Sequence, residues 1–376
     1  MDRNEILKIY GTDFRGMTWK LLEQADLCAL LPENKDGRIA IKPNLVSASE
    51  ASYGATTHPE IVAAIIEYLQ QHGYRNLVIA EGSWVGEKTS ESVRVCGYDR
   101  LVQKYGVEFR DTQKDSSFEK DCAGLKLNLC SCVQEFDFLI NVPVLKGHCQ
   151  TKVTCALKNM KGLIPNREKR RFHSMGLHDP IAHLNAGIHQ DFIVVDHICG
   201  DLDFEDGGNP VVRNCIMAAR DPVLVDAYVC QLLHYAVDDV PYIRLAQKLG
   251  VGSADISQAK ITVCGSPAAD GDKELPREHK IVELADAVCE VESCSACYGY
   301  LIPALEMLRQ EGLLDQLDEK ICIGQGFRGK TGRLGIGNCT SRFTYSAKGC
   351  PPTEGQIYEF LKKYLETSNG RSRPHA

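Results

Sequence analysis

The chain has 376 residues, 44% of them apolar and 25% charged, with a net charge of −7 at neutral pH. This is ordinary globular composition and excludes a disordered, collagenous or coiled-coil protein. The acidic balance argues against a nucleic-acid partner, and the length allows one large domain or two. Apolar runs such as Ile61–Ile66 fall far short of the roughly 20 residues a membrane helix needs. Residues 1–20 carry Asp2, Glu5 and Asp13 and no long apolar stretch, so neither a membrane partner nor a secretory signal is expected. A cytoplasmic location follows, where the 17 cysteines act as buried thiols, metal ligands or redox groups rather than disulfides.

Strand and helix patterns then alternate. Arg38–Val46 is rich in β-branched and apolar residues and reads as a buried strand. Pro59–His72 carries Ile61, Ala64, Ile65 and Leu69 at helical spacing, and Gly73 ends it. Leu77–Ala80 is a second strand. Thr89 caps a helix running toward Cys96, and Tyr98–Tyr105 is helical. Phe136–Val144 is a strand, Lys152–Ile164 and Pro180–Gln190 are helices, and Phe192–Ile198 and Val211–Ala219 are strands. Pro222–Leu233 and Pro241–Leu249 follow as helices and Lys260–Cys264 as a strand. Residues 1–270 thus predict an α/β domain whose mixed or parallel sheet is flanked by helices. Gly265–His279 is polar, with two Pro and two Gly, and reads as a linker. Residues 275–370 read as a smaller α/β domain bearing cysteines, and 371–376 as a disordered tail.

In such a sheet ligands sit beyond the carboxyl ends of the strands. Here those ends carry Lys42 and Asn44, Glu81, Lys146 to His148, and Asp196. From Lys146 to Arg171 eight Lys or Arg face the single acid Glu168, whereas Asp191 to Asp206 holds six acids and no base. A local basic segment on an acidic protein points to a small bound anion, a carboxylate or phosphate. Lys158 and Lys161 share a helical face, with Lys42, Asn44, Arg167 and His173 as further contacts. His148, beside Lys146 at a strand end, is the expected proton-transfer group. His178 and His183 fall near the crevice, while His189 and His234 read as structural. The acids after Asp201 lack an EF-hand pattern and read as an acidic turn. Dinucleotide, Walker A, nucleophile-elbow and H-E-x-x-H motifs are absent.

Cys294-Ser295-Ala296-Cys297 is a C-x-x-C, which lets two sulfurs point at one centre. Cys339 follows a glycine-rich run and Cys350 precedes Pro351. Together the four make a ligand set for a 4Fe-4S cluster or, alternatively, a structural zinc, with Cys289 as a substitute for one of them. Cys28, Cys96, Cys155, Cys215, Cys230 and Cys264 lie in apolar segments and read as core.

Ile41-Lys42-Pro43-Asn44-Leu45-Val46, Thr57-His58-Pro59-Glu60, Ala80-Glu81-Gly82-Ser83, Ile140 through Lys146, Val153 through Asn159 with Gly162, and Asp221 with Asp226 resemble the domain of unknown function 362 family over about residues 35–255. The resemblance implies a cytoplasmic, often anaerobe-associated iron–sulfur protein. Many members of that family carry a ferredoxin-type tail with two C-x-x-C-x-x-C-x-x-x-C-P runs. This chain has instead one C-x-x-C and two distant cysteines, which implies one cluster at most. A looser similarity, at the level of fold alone, links it to nickel-pincer lactate racemases. The expected function is an iron–sulfur oxidoreductase acting on a small anion, with a ferredoxin- or flavodoxin-type electron donor. The alternatives are a non-redox racemase, isomerase or lyase using a nickel-containing nucleotide cofactor, and a zinc-stabilised binding or carrier protein.

Overall fold

The apolar segments of the first 265 residues assemble into one eight-stranded sheet. A computed structural model describes residues 1–205, 207, 209–265, 275 and 280–369. The linker reading at 265–279, apart from Gly265 and Leu275, and the tail at 371–376 fall outside the described residues. The chain divides into two units, one built from Met1–Phe172 and Leu177–Arg277, the other from His173–Gly176 and Glu278–Ala376.

In the first unit the strands are β1 (Glu5–Tyr10), β2 (Ile39–Pro43), β3 (Leu77–Glu81), β4 (Glu108–Asp111), β5 (Ser117–Cys122), β6 (Leu125–Cys130), β7 (Phe138–Val142), β8 (Lys146–His148), β9 (Lys152–Thr154), β10 (Phe192–Asp201), β11 (Pro210–Ala219) and β12 (Lys260–Val263). The main sheet has the order β12-β1-β11-β10-β7-β2-β3-β4. The strands from β10 to β4 run parallel, while β11 runs antiparallel to β10 and β1. The sheet is therefore mixed, as expected. Strands β2, β3, β7 and β10 are buried at every position. This is why their apolar residues run together rather than alternate, with polar ones (Lys42, Glu81, Asn141, Asp196) only toward the carboxyl ends. Helices Phe14–Gln24 and Pro59–Gln71 pack on each other. Their Leu21, Leu22, Ile61, Ile65 and Leu69 join Ile39, Ile41, Ile79, Ile140 and Val194 of the sheet in one core. Because four central strands are parallel, the residues at their carboxyl ends gather along one edge.

Several local expectations change. Lys152–Thr154 is not the start of a helix but a strand paired antiparallel with Lys146–His148. Lys152 sits at a φ of 63°, which a helix does not accept. The helix begins at Ala156, because the buried Asp226 carboxylate accepts the N–H groups of Ala156 (2.7 Å) and Leu157 (3.1 Å). Thr89 does not cap its helix: its hydroxyl accepts from the Ser83 N–H at 3.1 Å, and Lys88 precedes the helix without a side-chain cap. His189 is not a packed structural residue either, since its side chain is 70% exposed beside Asp191. Strand β4 and the β5–β6 hairpin form from segments too short or too polar to signal a strand, whereas β1, apolar at Ile6, Leu7 and Ile9, is a strand that the sequence reading passed over.

The second unit holds a parallel sheet of β13 (Val288–Glu290), β14 (Ile321–Ile323), β15 (Leu334–Ile336) and β16 (Tyr345–Ala347), in that order. Helices Ser295–Gln310 and Glu354–Asn369 pack against each other. Among the described residues no helix of either unit is long and apolar enough to cross a membrane.

One close approach in the first unit depends on a missing side chain. A Cβ on Gly147 would stand 2.0 Å from the Leu202 carbonyl oxygen and 2.3 Å from its carbon. Both are backbone atoms of the segment leaving β10, so neither can rotate away. Gly147→Ala is expected to destabilise the protein by about 1–3 kcal/mol, read as a lower urea midpoint at unchanged slope.

Candidate functional site

Three groups of buried polar side chains line the carboxyl edge of the parallel strands. In the first, Lys42 of β2 forms an ion pair with Glu81 of β3 and also donates to the Pro43 carbonyl at 2.8 Å. Both side chains are sealed from water. Burial pulls the Lys42 ammonium below its usual range, and Glu81 works against that pull. Lys169 lies beside them, donating to the carbonyls of Gly82 (2.8 Å) and Ser83 (2.7 Å). Burial brings its pKa down to about 8, with Glu81 opposing.

The second group is built by the β8–β9 hairpin and the segment after β10. Lys146 donates to the carbonyls of Ala55 (2.8 Å) and Glu205 (2.6 Å). Lys158 pairs with one Glu205 oxygen at 2.7 Å, and His148 Nε2 stands 2.8 Å from the other. His148 Nδ1 accepts the N–H groups of Gln150 (3.0 Å) and Thr151 (3.1 Å), which puts the ring proton on Nε2. That N–H is not lined up on the carboxylate, so neither Nε2 nor Oε2 completes a hydrogen bond. Burial lowers His148 to about 4 against the pull of Glu205, with Lys158 and Lys161 assisting, so the imidazole is neutral at pH 7. Burial pushes Glu205 up, but His148, Lys158 and Lys146 outweigh it and hold the carboxyl well below the usual range. Cys149 adds a sulfur: ligand atoms of His148, Cys149 and Glu205 all lie within 4.8 Å of one another, a spacing suited to one metal ion.

The third group is a row of thiol, imidazole and carboxylate. Asp196 of β10 accepts from the His58 backbone N–H and lies 2.8 Å from His58 Nδ1. Cys199 Sγ stands 4.0 Å from His58 Nε2. Burial works against the imidazolium, but the Asp196 charge and hydrogen bond, with Cys199 assisting, raise His58 to about 10.

In the second unit the four cysteines converge. Cys294 is the residue before helix Ser295–Gln310 and Cys297 lies in its first turn. Cys339 sits in the turn after β15 and Cys350 follows β16. Burial pushes the Cys297 thiol up, and the nearby Cys294, Cys350 and Cys339 push it the same way. Gly337, at a φ of 85°, makes the turn that brings Cys339 off β15, and an added Cβ there would touch Cys297 Sγ at 3.7 Å. Cys289 does not join them. It lies in β13 directly across from Cys322 of β14, and the two thiols interact.

The sequence-derived residues thus separate. Lys146, His148 and Lys158 come together, with Lys161 half-buried and acting on His148, while Lys42 pairs elsewhere on the edge. Asn44 serves its own turn, accepting from Val46 N at 3.1 Å. Arg167 is exposed and binds Ser117 (3.0 Å) and Asn128 (2.8 Å) away from the strand ends. His173 leaves the crevice altogether: its Nε2 accepts from the N–H of Ser295, next to Cys294, at 3.3 Å. Glu205, expected in an acidic turn, and Lys169, His58 and Cys199, given no role, are central. Glu205 had a signal in the acid run at 191–206 facing the basic run at 146–171; Cys199 had none.

Two outcomes check this electrostatic picture. Lys42→Met strands the Glu81 charge and is expected to cost about 3–5 kcal/mol, whereas Lys42→Met with Glu81→Leu regains most of it; urea unfolding of both variants reads the difference. His58 is raised above its usual 6.5, so its contribution to stability is complete below about 6.5 and is lost as pH rises through about 10. Asp196→Asn is expected to remove that alkaline loss and to bring the imidazole pKa down by more than two units, followed by NMR titration of the ring.

The chain is similar to known proteins over part of its length. The chain is 26% identical over 231 residues to the thylakoid-associated protein sll1697 of Synechocystis sp., an alignment covering 57% of this chain and 68% of that one. The lactate racemase apoprotein of Thermoanaerobacterium thermosaccharolyticum superposes over 60% of this chain and 56% of its own, at a TM-score of 0.40 and 15% identity. The profile of the family described as Domain of unknown function (DUF362) matches residues 39–231, the span that carries all three strand-end groups, and the chain belongs to that family.

Proposed function

We propose that the protein is an iron–sulfur redox protein, with a 4Fe-4S cluster held by Cys294, Cys297, Cys339 and Cys350 and an anionic small molecule handled at the strand-end edge of the larger unit. The observation that carries this reading is the convergence of these four sulfurs, from three separate chain segments, on the carboxyl edge of the small parallel sheet. Two of them stand at the start of a 16-residue helix, where backbone N–H groups and the helix dipole favour the negative charge of a thiolate cluster. Such a cluster supplies single electrons, delivered to it by a ferredoxin- or flavodoxin-type donor. Anion binding is supported by the charge balance: Lys158 and Lys146 both act on Glu205, and Lys42 and Lys169 both act on Glu81. Each carboxylate meets more positive charge than it neutralises. His148, neutral and carrying its proton on Nε2, is the group that offers a bound anion a hydrogen bond there without adding charge. A cytoplasmic site of action belongs to the same proposal.

One observation favours a second reading, a non-redox metal enzyme. His148, Cys149 and Glu205 offer nitrogen, sulfur and oxygen within the reach of one transition-metal ion such as nickel or zinc. It requires Nε2 to give up its proton, against the tautomer the backbone sets.

Metal analysis of anaerobically purified protein separates the two. The first reading expects about four iron and four sulfide per chain, with absorbance near 400 nm that bleaches on reduction. Cys294→Ala with Cys297→Ala is expected to abolish both, and His148→Ala to leave them intact. Stoichiometric nickel or zinc that His148→Ala removes, in colourless protein, overturns the first reading and supports the second.

A further inference from the structure

The main sheet carries a second concentration of positive charge, and the functional reading above does not use it. Lys8 and Tyr10 are two apart on β1 and so point to one face of the sheet. Tyr10 pairs with Cys215 of β11, and Cys215 with His197 of β10, which puts His197 on that same face. Arg213, two residues before Cys215 on β11, lies close enough for its charge to act on Tyr10, Cys215 and His197. Tyr228 of helix Pro222–Leu232 reaches the face, and its hydroxyl accepts from Lys8 Nζ at 3.0 Å. The Lys8 ammonium also lies 5.3 Å from the Tyr10 ring centre and 5.5 Å from that of Tyr228.

What sets this group apart is that, among the described residues, no carboxylate pairs with Lys8 or Arg213. Lys8 is 8% exposed, and a lysine buried this far normally pairs with a carboxylate. Its partners here are two phenols. Arg213 is half-buried, and the groups acting on it are Tyr10 and Cys215. His197 is 6% exposed, and neither ring nitrogen has a hydrogen-bond partner. The charges acting on His197 are Arg213, Lys8 and Asp196. Asp196 is already engaged with His58. Burial, with Arg213 and Lys8 beside it, brings His197 down to about 3, so at neutral pH the ring offers one N–H donor without adding charge. The register between β10 and β11 slips after His197, and the extra residue falls on β11 beside Arg213, where Asn214 takes a φ of 49°.

We propose that Lys8, Tyr10, His197, Arg213 and Tyr228 form a binding site for a small oxyanion, a carboxylate or phosphate group. Lys8 supplies the buried point charge, Arg213 a planar fork of donors at the half-open side, and His197 and the two phenols the directional hydrogen bonds. Buried cations left without a carboxylate are desolvated at a cost that a bound anion offsets. The site is separate from the Lys42, Lys158 and cysteine groups, so it stands or falls independently of the redox reading.

The test is isothermal titration of the full, metal-replete chain at low ionic strength with inorganic phosphate and, separately, with acetate. Saturable one-to-one binding of either probe is expected, and the tighter probe identifies the group as phosphoryl or carboxylate. Arg213→Gln, at the half-exposed mouth, is expected to weaken binding at least tenfold while leaving iron and sulfide content unchanged. Lys8→Met is expected to abolish it, with His197→Phe as a second variant should Lys8→Met fail to fold. Absence of saturable binding of both probes, or binding that survives Arg213→Gln and His197→Phe undiminished, overturns the site.

Discussion

The architecture of the larger unit depends on one constraint: a lysine ammonium taken out of water must find negative charge or carbonyl dipoles at once. Lys42 and Lys146 are sealed from solvent. Each is placed by a strand end or the hairpin beyond it, and each pins a different loop. Lys42 ties β2 to the end of β3 through Glu81. Lys146 ties the hairpin to the Ala55 and Glu205 carbonyls. Glu205 in turn gathers Lys158 and His148. Replacing such pairs with well-packed apolar residues is often neutral or stabilising, whereas removing one partner is not. Their value here is therefore positional: Lys42 and Glu81 lock the ends of two paired strands, and Lys146 holds the irregular segments at Ala55 and Glu205.

The same constraint distinguishes two kinds of positive charge in this protein. Around Glu81 and Glu205 each carboxylate already engages lysines, so an incoming anion shares those lysines with it. Around Lys8 and Arg213 the described residues commit no carboxylate to the cations. An anion entering the second environment therefore replaces only water and phenol contacts. The first also sets the Nε2–H of neutral His148 2.8 Å from a Glu205 oxygen, a donor and an acceptor side by side.

The parallel core was legible because strands buried on both faces begin as apolar runs, as β2, β3, β7 and β10 do before Lys42, Glu81, Asn141 and Asp196. Edge strand β4 and the separate β5–β6 hairpin were not, since β4 and β5 are half-solvated and carry three charges each. The basic segment was legible as a run, but the partners that neutralise it were not. Glu81 lies 39 residues from Lys42 and Glu205 lies 47 from Lys158, and no local spacing announces such pairs. His173 was misplaced for a related reason: it follows a basic helix in sequence, yet its contacts belong with the cysteine-bearing unit. Lys8, His197 and Arg213 show the limit most clearly. They come from three strands, none sits in a motif, and only strand register brings them to one face.

Cysteine usage follows the same division between local and long-range information. The C-x-x-C is a local signal, and it sits where a helix begins, as such turns do. Cys339 and Cys350 were legible from the glycines beside them, because both leave short parallel strands through residues of positive φ, Gly337 at 85° and Gly349 at 145°. Cys289 looked equivalent in sequence but is held inside a strand, opposite Cys322, with its direction set by the pleat. A thiol in a strand cannot turn toward the sheet's edge as one in a turn can. Backbone conformation, more than spacing, therefore decides which cysteines of this chain can act together.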